Sequence, residues 1–464
     1  MHSTPLNLLD ELYLNLDRRQ EPWVVHVEVR VTGRLEADRL AAALAAAVQR
    51  HPIARARLAE HRSTDRSYRW EILDELSEVP LLVAACDDEA ALSRARERHF
   101  AFSPSLDVAP PFAVLLAHVP GGDALLLNVN HAAADGIGAV RLLRSILRAY
   151  AGEDDPVGAV DPLAVRDVRA LAGAASPADH IVRAQALARS AARQAVPAAR
   201  VARDGGDARP AYGFELLSFS PEETQAVLDR RAPGTTVNDV LVAALAVTVT
   251  RWNKAHGRPA RRVAITMPMN LRPPRWRTEV VGNFAAYATV SLGAGEHDDL
   301  REAVEATGRR TATIKRDGLG GTVIDLCAVP AMLSVAAKRR LQDLIPLTGD
   351  VVVDSASLSD LGVLDGLPSL GEAGSVRAMW FSPPGRMPLG ATVGVLTLDG
   401  RLHAALRYRH ALFGDHAATA FAGIFRDVLL APPAAAARGN VPATRPAYNG
   451  GAMTGSASHP RRRR

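Results

Sequence analysis

The sequence predicts an α/β protein made of two sandwich-like halves. Stretches with strand periodicity alternate with stretches of helix periodicity, the pattern of helices packed on sheets. At 464 residues the chain exceeds what one hydrophobic core ordinarily holds. The alternation also weakens between about 151 and 211 and then resumes, so the chain divides into residues 1–150, a connection over 151–211, and residues 212–430.

Each element follows from local pattern. "WVVHVEVRV" (residues 23–31) sets Trp23, Val25, Val27, Val29 and Val31 on one face and His26, Glu28 and Arg30 on the other, which predicts a half-buried strand. "EADRLAAALAAAVQRH" then places Leu40, Leu44 and Val48 at helical spacing. "ALLLNVN" (124–130) is a short apolar run, expected as a buried strand. "GIGAVRLLRSILRAY" (136–150) gathers Ile137, Val140, Leu143, Ile146 and Leu147 on one face of an amphipathic helix. In the connection, "GEDDPVGAVDP" reads as loop and the Ala/Arg-rich stretch after it as partly helical.

The second half starts near Tyr212. "TTVNDVLVAALAVTVTRW" (235–252) predicts a helix capped by Thr236 or Asn238. "RRVAITMPMNL" and "AAYATVSL" predict strands, and "ATVGVLTLDGRLHAALRYR" (391–409) a hairpin closed at Asp399-Gly400. "DHAATAFAGIFRDVLL" is the last helix. The tail, 431–464, is rich in Ala, Pro, Gly and Ser and is expected to be disordered.

Composition narrows the function. Hydrophobic residues make up 48%, but no run is long enough for a transmembrane segment. The start, "MHSTPLNLLDELYLNLDRR", lacks the basic-then-apolar order of a signal peptide, so a cytoplasmic protein is expected, as a monomer. Cys86 and Cys327 offer neither a disulfide framework nor metal-ligand spacing, so no metal and no bound cofactor is expected. The net charge of +5 suggests nucleic acid until the charges are placed: four are the terminal Arg461–Arg464. The remainder is close to neutral and aromatics are only 5%, which argues against a nucleic-acid partner. A mildly basic surface suits an acidic partner, such as a phosphopantetheine carrier protein or the phosphates of CoA.

Chemistry concentrates in "LLLNVNHAAADGIGAV" (125–140). His131 follows a strand directly and Asp135 directly precedes a helix, so both sit on a loop held by rigid elements. Two readings stand here. Asp135 is well placed as an ordinary N-cap, with His131 a hydrogen-bonded residue at a strand end. Alternatively His131 is a general base, taking a proton from a hydroxyl or amine as that group attacks a carbonyl. Asp135 would then orient the loop, and the Gly136 N–H would face the developing oxyanion. The chain has no GxSxG elbow, which favours direct attack by the acceptor over an acyl-enzyme.

"NHAAADG" resembles the HHxxxDG motif of the superfamily of CoA-dependent acyltransferases and nonribosomal-peptide condensation domains. The motif's second histidine, the catalytic one, falls on His131; the first is replaced by Asn130. "QRHPIARARL" (49–58) resembles the RHxxLR segment of these proteins, and the resemblance implies that Arg55 pairs with Asp135. "NDVLVAALA" (238–246), "MPMNLRPP", "VVGNFAAYATVSL" and "SLSDLG" (357–362, with Asp360 for an Asn) resemble second-half marks of the superfamily. "FSPPGRMPLGATVGVLTLDGRL" looks like the late loop and hairpin of polyketide-associated acyltransferases. These marks come in family order over roughly residues 5–430.

The resemblance implies two chloramphenicol-acetyltransferase-like αβ sandwich halves forming a V-shaped pseudodimer, with the active site in a tunnel between them. His131, Asp135 and Gly136 would form the catalytic set, with Arg55 and Asn130 supporting the motif. Asn283 and the 357–362 segment, with Ser357 and Ser359, would contact substrate from the second half; Asn283 reads nearly as well as a turn residue after Gly282. The implied activity moves an acyl group from acyl-CoA or a phosphopantetheinyl carrier protein to a hydroxyl or amine of a small-molecule acceptor. The donor would be taken in trans, in polyketide, nonribosomal-peptide or lipid metabolism. Alternatives are a free-standing condensation enzyme forming an amide, a wax-ester or diacylglycerol synthase, and an inactive recruitment module, for which Asn130 is the best support.

Overall fold

A computed structural model describes residues 2–432 apart from 77, 157, 159, 194–195, 210, 342–352 and 386–388. Apart from its first two residues, the tail expected over 431–464 lies outside the described residues. The chain begins β1 (His2–Pro5), α1 (Leu8–Leu16), β2 (Val24–Val31), α2 (Ala37–Arg50), β3 (Ala56–Leu58), β4 (Arg69–Ile72) and β5 (Leu81–Ala85). Then come α3 (Glu89–Phe100), β6 (Phe112–His118), β7 (Ala124–Asn130), α4 (Gly136–Ala151), α5 (Val168–Ala172) and α6 (Pro177–Arg193). From Tyr212 follow β8 (Tyr212–Ser218), α7 (Pro221–Leu228), α8 (Val237–Ala255), β9 (Arg262–Asn270), β10 (Ala285–Gly293), α9 (Leu300–Arg316), α10 (Leu319–Ala328) and α11 (Val335–Leu341). The last elements are β11 (Ala356–Leu364), β12 (Val376–Ser382), β13 (Ala391–Leu398), β14 (Arg401–Arg409) and α12 (Asp415–Leu430).

Two large sheets carry the cores. A five-stranded sheet runs β12-β2-β7-β6-β5, and a six-stranded sheet runs β10-β9-β11-β13-β14-β8. A small sheet, β1-β4-β3, stands apart from both. β12 joins the first sheet antiparallel to β2, from Val376 opposite Val31 to Ser382 opposite His26. The sheet of the first half thus takes a strand from beyond residue 370, which local pattern could not assign to it.

The strand at 23–31 is not half-buried as its alternation predicts. All eight residues of β2 are buried. α3 covers the polar face: the His26 ring stacks on Phe100 at 4.0 Å, and Glu28 accepts from Arg30 at 2.9 Å and from Arg96 at 3.0 Å. Polar side chains that neutralise one another can occupy a covered face, so alternation does not distinguish water from a buried ion pair.

On the other face of this sheet α2 and α4 pack Leu40, Leu44, Val48, Val140, Leu143 and Ile146 against β2, β6 and β7. In the six-stranded sheet's core lies α8, buried on nearly every side between the sheet, α9 and α12. Its apolar residues run all round the helix, as interior position requires. Thr236 caps it in a reciprocal box with Asp239. Asp399 and Gly400 close the β13–β14 hairpin with φ of 48° and 73°, the left-handed pair that matches strand twist.

Candidate active site

β7 delivers the 131–135 loop and α4 carries it away. His131 N donates to Trp23 O at 3.0 Å, which ties the loop to the strand entering β2. Asn130 holds it from below: its Oδ1 accepts from Ala132 N at 3.0 Å, and its Nδ2 donates to Ser103 Oγ at 2.9 Å and Pro104 O at 3.0 Å. The asparagine thus serves as the loop's buried brace.

Asp135 caps α4, accepting from Gly138 N at 2.9 Å. It also accepts Phe284 N at 2.8 Å and both terminal nitrogens of Arg272 at 2.7 and 2.9 Å. Both carboxylate oxygens are thereby used twice, so Asp135 orients the loop. The expected Arg55–Asp135 pair is absent. Arg55 instead donates to the Gln49 and Leu73 carbonyls at 2.5 and 2.6 Å. Helix ends leave carbonyls unbonded, and Arg55 satisfies one at the end of α2.

Asn283 is likewise corrected from substrate contact to brace. It is fully buried, and its Nδ2 donates to His131 O at 2.7 Å, Ala132 O at 2.9 Å and Asp10 Oδ1 at 3.1 Å. Asp10 in turn accepts from Trp70 Nε1 at 3.1 Å and pairs with Arg166. Sequence reasoning weighed neither Arg272, Asp10 nor Arg166. Arg272 stood inside the quoted "NLRPP". Asp10 sits on the buried face of α1 with Leu9 and Tyr13, an acid among apolar neighbours.

His131 lines a cavity of about 810 Å³ together with Gly136, Ser357, Ser359, Tyr287 and Phe381. Ser357 and Ser359, expected to contact substrate, stand on β11 in its wall. Nδ1 of His131 is buried without a hydrogen-bond partner among the described residues. Tyr13 packs on the imidazole, ring centroids 4.1 Å apart, and its hydroxyl donates to Ala285 O at 2.6 Å. Burial pushes the His131 pKa down to about 4, so the ring is neutral near pH 7. At the start of α4 the Gly136 N–H carries no hydrogen bond to a described residue. A Cβ there would lie 2.8 Å from the Phe381 ring and 2.9 Å from Leu361, so glycine lets β12 and β11 close on the loop.

Two carboxyls, Asp354 and Asp360, also lie in the cavity wall, both raised in pKa by burial. Thr266 and Thr289 donate to Asp354 Oδ2 at 2.6 and 2.7 Å, and Gly362 N to Asp360 Oδ1 at 2.8 Å. Among the described residues no group of three His, Cys, Asp or Glu side chains is placed to hold a metal ion, and no helix is long and apolar enough to cross a membrane.

The chain is similar to known proteins in sequence and in fold. The uncharacterized proteins Rv2305 and MT2362 of Mycobacterium tuberculosis, strains H37Rv and CDC 1551, are each 40% identical to the chain over 430 residues, covering 92% of it and 98% of the relative. The first condensation domain of the calcium-dependent antibiotic synthetase superposes with a TM-score of 0.69 at 18% identity, covering 94% of this chain and 98% of that one. The epimerization domain from the third module of tyrocidine synthetase B gives 0.64 at 18% identity, covering 92% and 96%. SgcC5 from Streptomyces globisporus gives 0.60 at 18% identity, covering 92% and 98%. These likenesses identify the fold as two chloramphenicol-acetyltransferase-like halves in a V. The condensation-domain profile matches residues 12–320, from the Tyr13 helix through His131 and Arg272 to the start of α10, and the chain belongs to the condensation-domain family.

Proposed function

We propose that the protein is an acyltransferase that moves an acyl group from a CoA or carrier-protein thioester to a hydroxyl or amine. Condensation-domain proteins are transferases that form amide or ester bonds, and membership sets that coarse class. The observation that carries the finer reading is a neutral, buried His131 facing a large cavity beside the unbonded Gly136 N–H.

In this reading the acceptor oxygen or nitrogen attacks the thioester carbonyl while His131 Nε2 takes its proton. The carbonyl oxygen becomes an oxyanion and draws on the Gly136 N–H and the positive end of α4. The tetrahedral intermediate then collapses, the C–S bond breaks, and the imidazolium returns its proton to the departing thiolate. Asp135, Arg272, Asn130 and Asn283 hold the loop and touch no reacting atom.

The amide-forming variant gains support from Asp354 and Asp360, since carboxyls in an apolar wall suit an acceptor bearing an amine. The recruitment reading loses its main support, because Asn130 braces the loop and leaves His131 facing the cavity. The test is mass spectrometry of products formed from a panel of acyl-CoAs and acyl-carrier proteins with hydroxyl and amine acceptors. Acyl products made by the wild type and lost with His131→Ala are expected. No product from any pair, or equal product from the variant, overturns the reading.

A further inference from the structure

Apolar side chains crowd the surface where α10 gives way to α11. α10 ends in a single tight turn, Val329–Met332, that leads through Leu333 and Ser334 into α11. Val329 and Met332 are 75% and 76% exposed, and Leu326 and Leu333 join them at the surface. The spacing of three residues along helical chain puts Leu326, Val329 and Met332 on one side. Side chains with three quarters of their area free stand clear of their neighbours, so they form a raised ridge rather than the wall of a groove. Contiguous apolar surface of this kind marks a site of contact with a protein or a membrane.

Arginines stand beside the ridge. The loop over 61–66 is bonded to the start of α11: Val335 N donates to Asp65 O at 2.7 Å and Ala336 N to Ser63 O at 3.1 Å. This brings together Arg62, Arg66, Arg339 and Arg340, all of them exposed. None of the four has a carboxylate at ion-pair distance among the described residues. The acids nearby are mostly engaged: Glu11 by Lys338 at 2.7 Å and Asp325 by Arg183 at 2.8 Å, while Asp65 Oδ2 accepts the Arg62 N–H at 2.7 Å. Glu60 and Asp65 offset part of the charge, and Arg18, which donates to Arg339 O at 2.9 Å, adds to it. The excess is positive. The same contacts tie this surface to α1, whose Leu12 and Leu16 line the His131 cavity.

We propose that this surface docks the protein on an anionic phospholipid bilayer, with Val329 and Met332 in the acyl boundary and Arg62, Arg66, Arg339 and Arg340 among the head-group phosphates. A bilayer yields to a projecting apolar side chain, whereas a protein partner must offer a packed pocket for it. Arginines flanking the ridge add attraction to anionic head groups and keep their own charge in water. Docking of this kind does not depend on acyl transfer.

The test is co-sedimentation of the full chain with vesicles of phosphatidylcholine alone and of phosphatidylcholine mixed with phosphatidylglycerol. The wild type should bind the mixed vesicles at least about tenfold more tightly than the neutral ones, with the difference shrinking as salt is raised. Val329→Ser with Met332→Ser, which removes apolar surface and leaves every charge in place, should weaken binding to the mixed vesicles by about tenfold or more. Arg62→Glu with Arg340→Glu should abolish the preference for phosphatidylglycerol. All four side chains are exposed, so each pair should melt as the wild type does. Equal binding to the two kinds of vesicle, or binding to neither, overturns docking on an anionic bilayer. Binding that survives the serine pair belongs to another basic segment, such as Arg461–Arg464, and overturns it as well. Retention of a holo-acyl-carrier protein in place of vesicles, lost with Arg62→Glu and Arg340→Glu, assigns the surface to a protein partner and overturns the bilayer.

Discussion

Arg272 grips Asp135 with both terminal nitrogens across 137 residues of chain, in a pair almost wholly shielded from water. The same guanidinium reaches Gly282 O at 2.9 Å and lies over the Phe284 ring at 4.4 Å. One side chain therefore fixes the start of α4 to the segment that enters β10. Removing either partner strands a buried charge, so Asp135→Ala and Arg272→Ala should each cost about 3–5 kcal/mol in urea unfolding. The double variant should lose markedly less than the sum. Arg55→Ala combined with Asp135→Ala should be additive, because those residues share no contact.

His131→Ala should leave the melting transition close to wild type and lower the transfer rate by about 10²- to 10⁴-fold. With a pKa of about 4, the imidazole stays neutral until the solution is distinctly acid. Transfer should be level from about pH 8 to about 5 and decline below, because protonation removes the lone pair that accepts the acceptor's proton. A rate profile already falling near pH 6.5 would contradict the burial of this ring.

Asn283→Ala removes the donor shared by the His131 and Ala132 carbonyls and by Asp10. Three buried acceptors then lose a partner, at a cost of about 1–3 kcal/mol. The histidine also loses its nearest brace, so kcat should fall while the donor KM holds. Asn283→Asp should be worse than alanine, since a carboxylate would face two carbonyls and another acid.

Gly136→Ala drives a methyl into Phe381 and Leu361. Overpacking of this kind costs about 1–3 kcal/mol. Phe381→Leu in the same chain should recover part of that loss in thermal unfolding. No recovery would place the strain elsewhere, in the backbone at the start of α4.

Acid should weaken the fold through its buried histidines. Burial holds His26 well below its ordinary value, His99 and His403 down to about 4, and His51 down to about 3. Unfolded, each titrates near about 6.5. Between about pH 6.5 and 4 the unfolded chain therefore binds more protons, and stability falls as pH falls. Urea midpoints across that window should show the slope. His26→Phe, beside Phe100 with both ring nitrogens unbonded in the wild type, should make it shallower.

Local pattern located most elements, because helices and hairpins declare themselves within a few residues. The α8 helix, the Asp399-Gly400 turn and the 124–130 strand needed no distant partner to be read, while the choice between Thr236 and Asn238 as the α8 cap needed the structure. The roles of Arg55 and Asn283 could not be read that way. Whether an arginine caps a helix or pairs with an aspartate depends on which segments meet in space, and Arg272 reaches Asp135 only after the second half has folded back. The same holds for Asp10, whose partners Arg166 and Asn283 lie 156 and 273 residues away. His131 was legible because strand, loop and helix N-terminus are contiguous. Its depth in the structure was not, because Tyr13 and Asn283 come from elsewhere.

The pairing of β12 with β2 bears on how such a protein could be divided. A polypeptide ending in the connection near 151–211 would keep β2, β7, β6 and β5 but not the strand that covers β2. It would present the naked edge of a fully buried strand, a surface that recruits other chains into aggregates. The two halves are therefore not interchangeable cassettes. Recombination between relatives would have to carry the 376–382 segment along with the amino-terminal half, although a long stretch of the other half separates them in the gene.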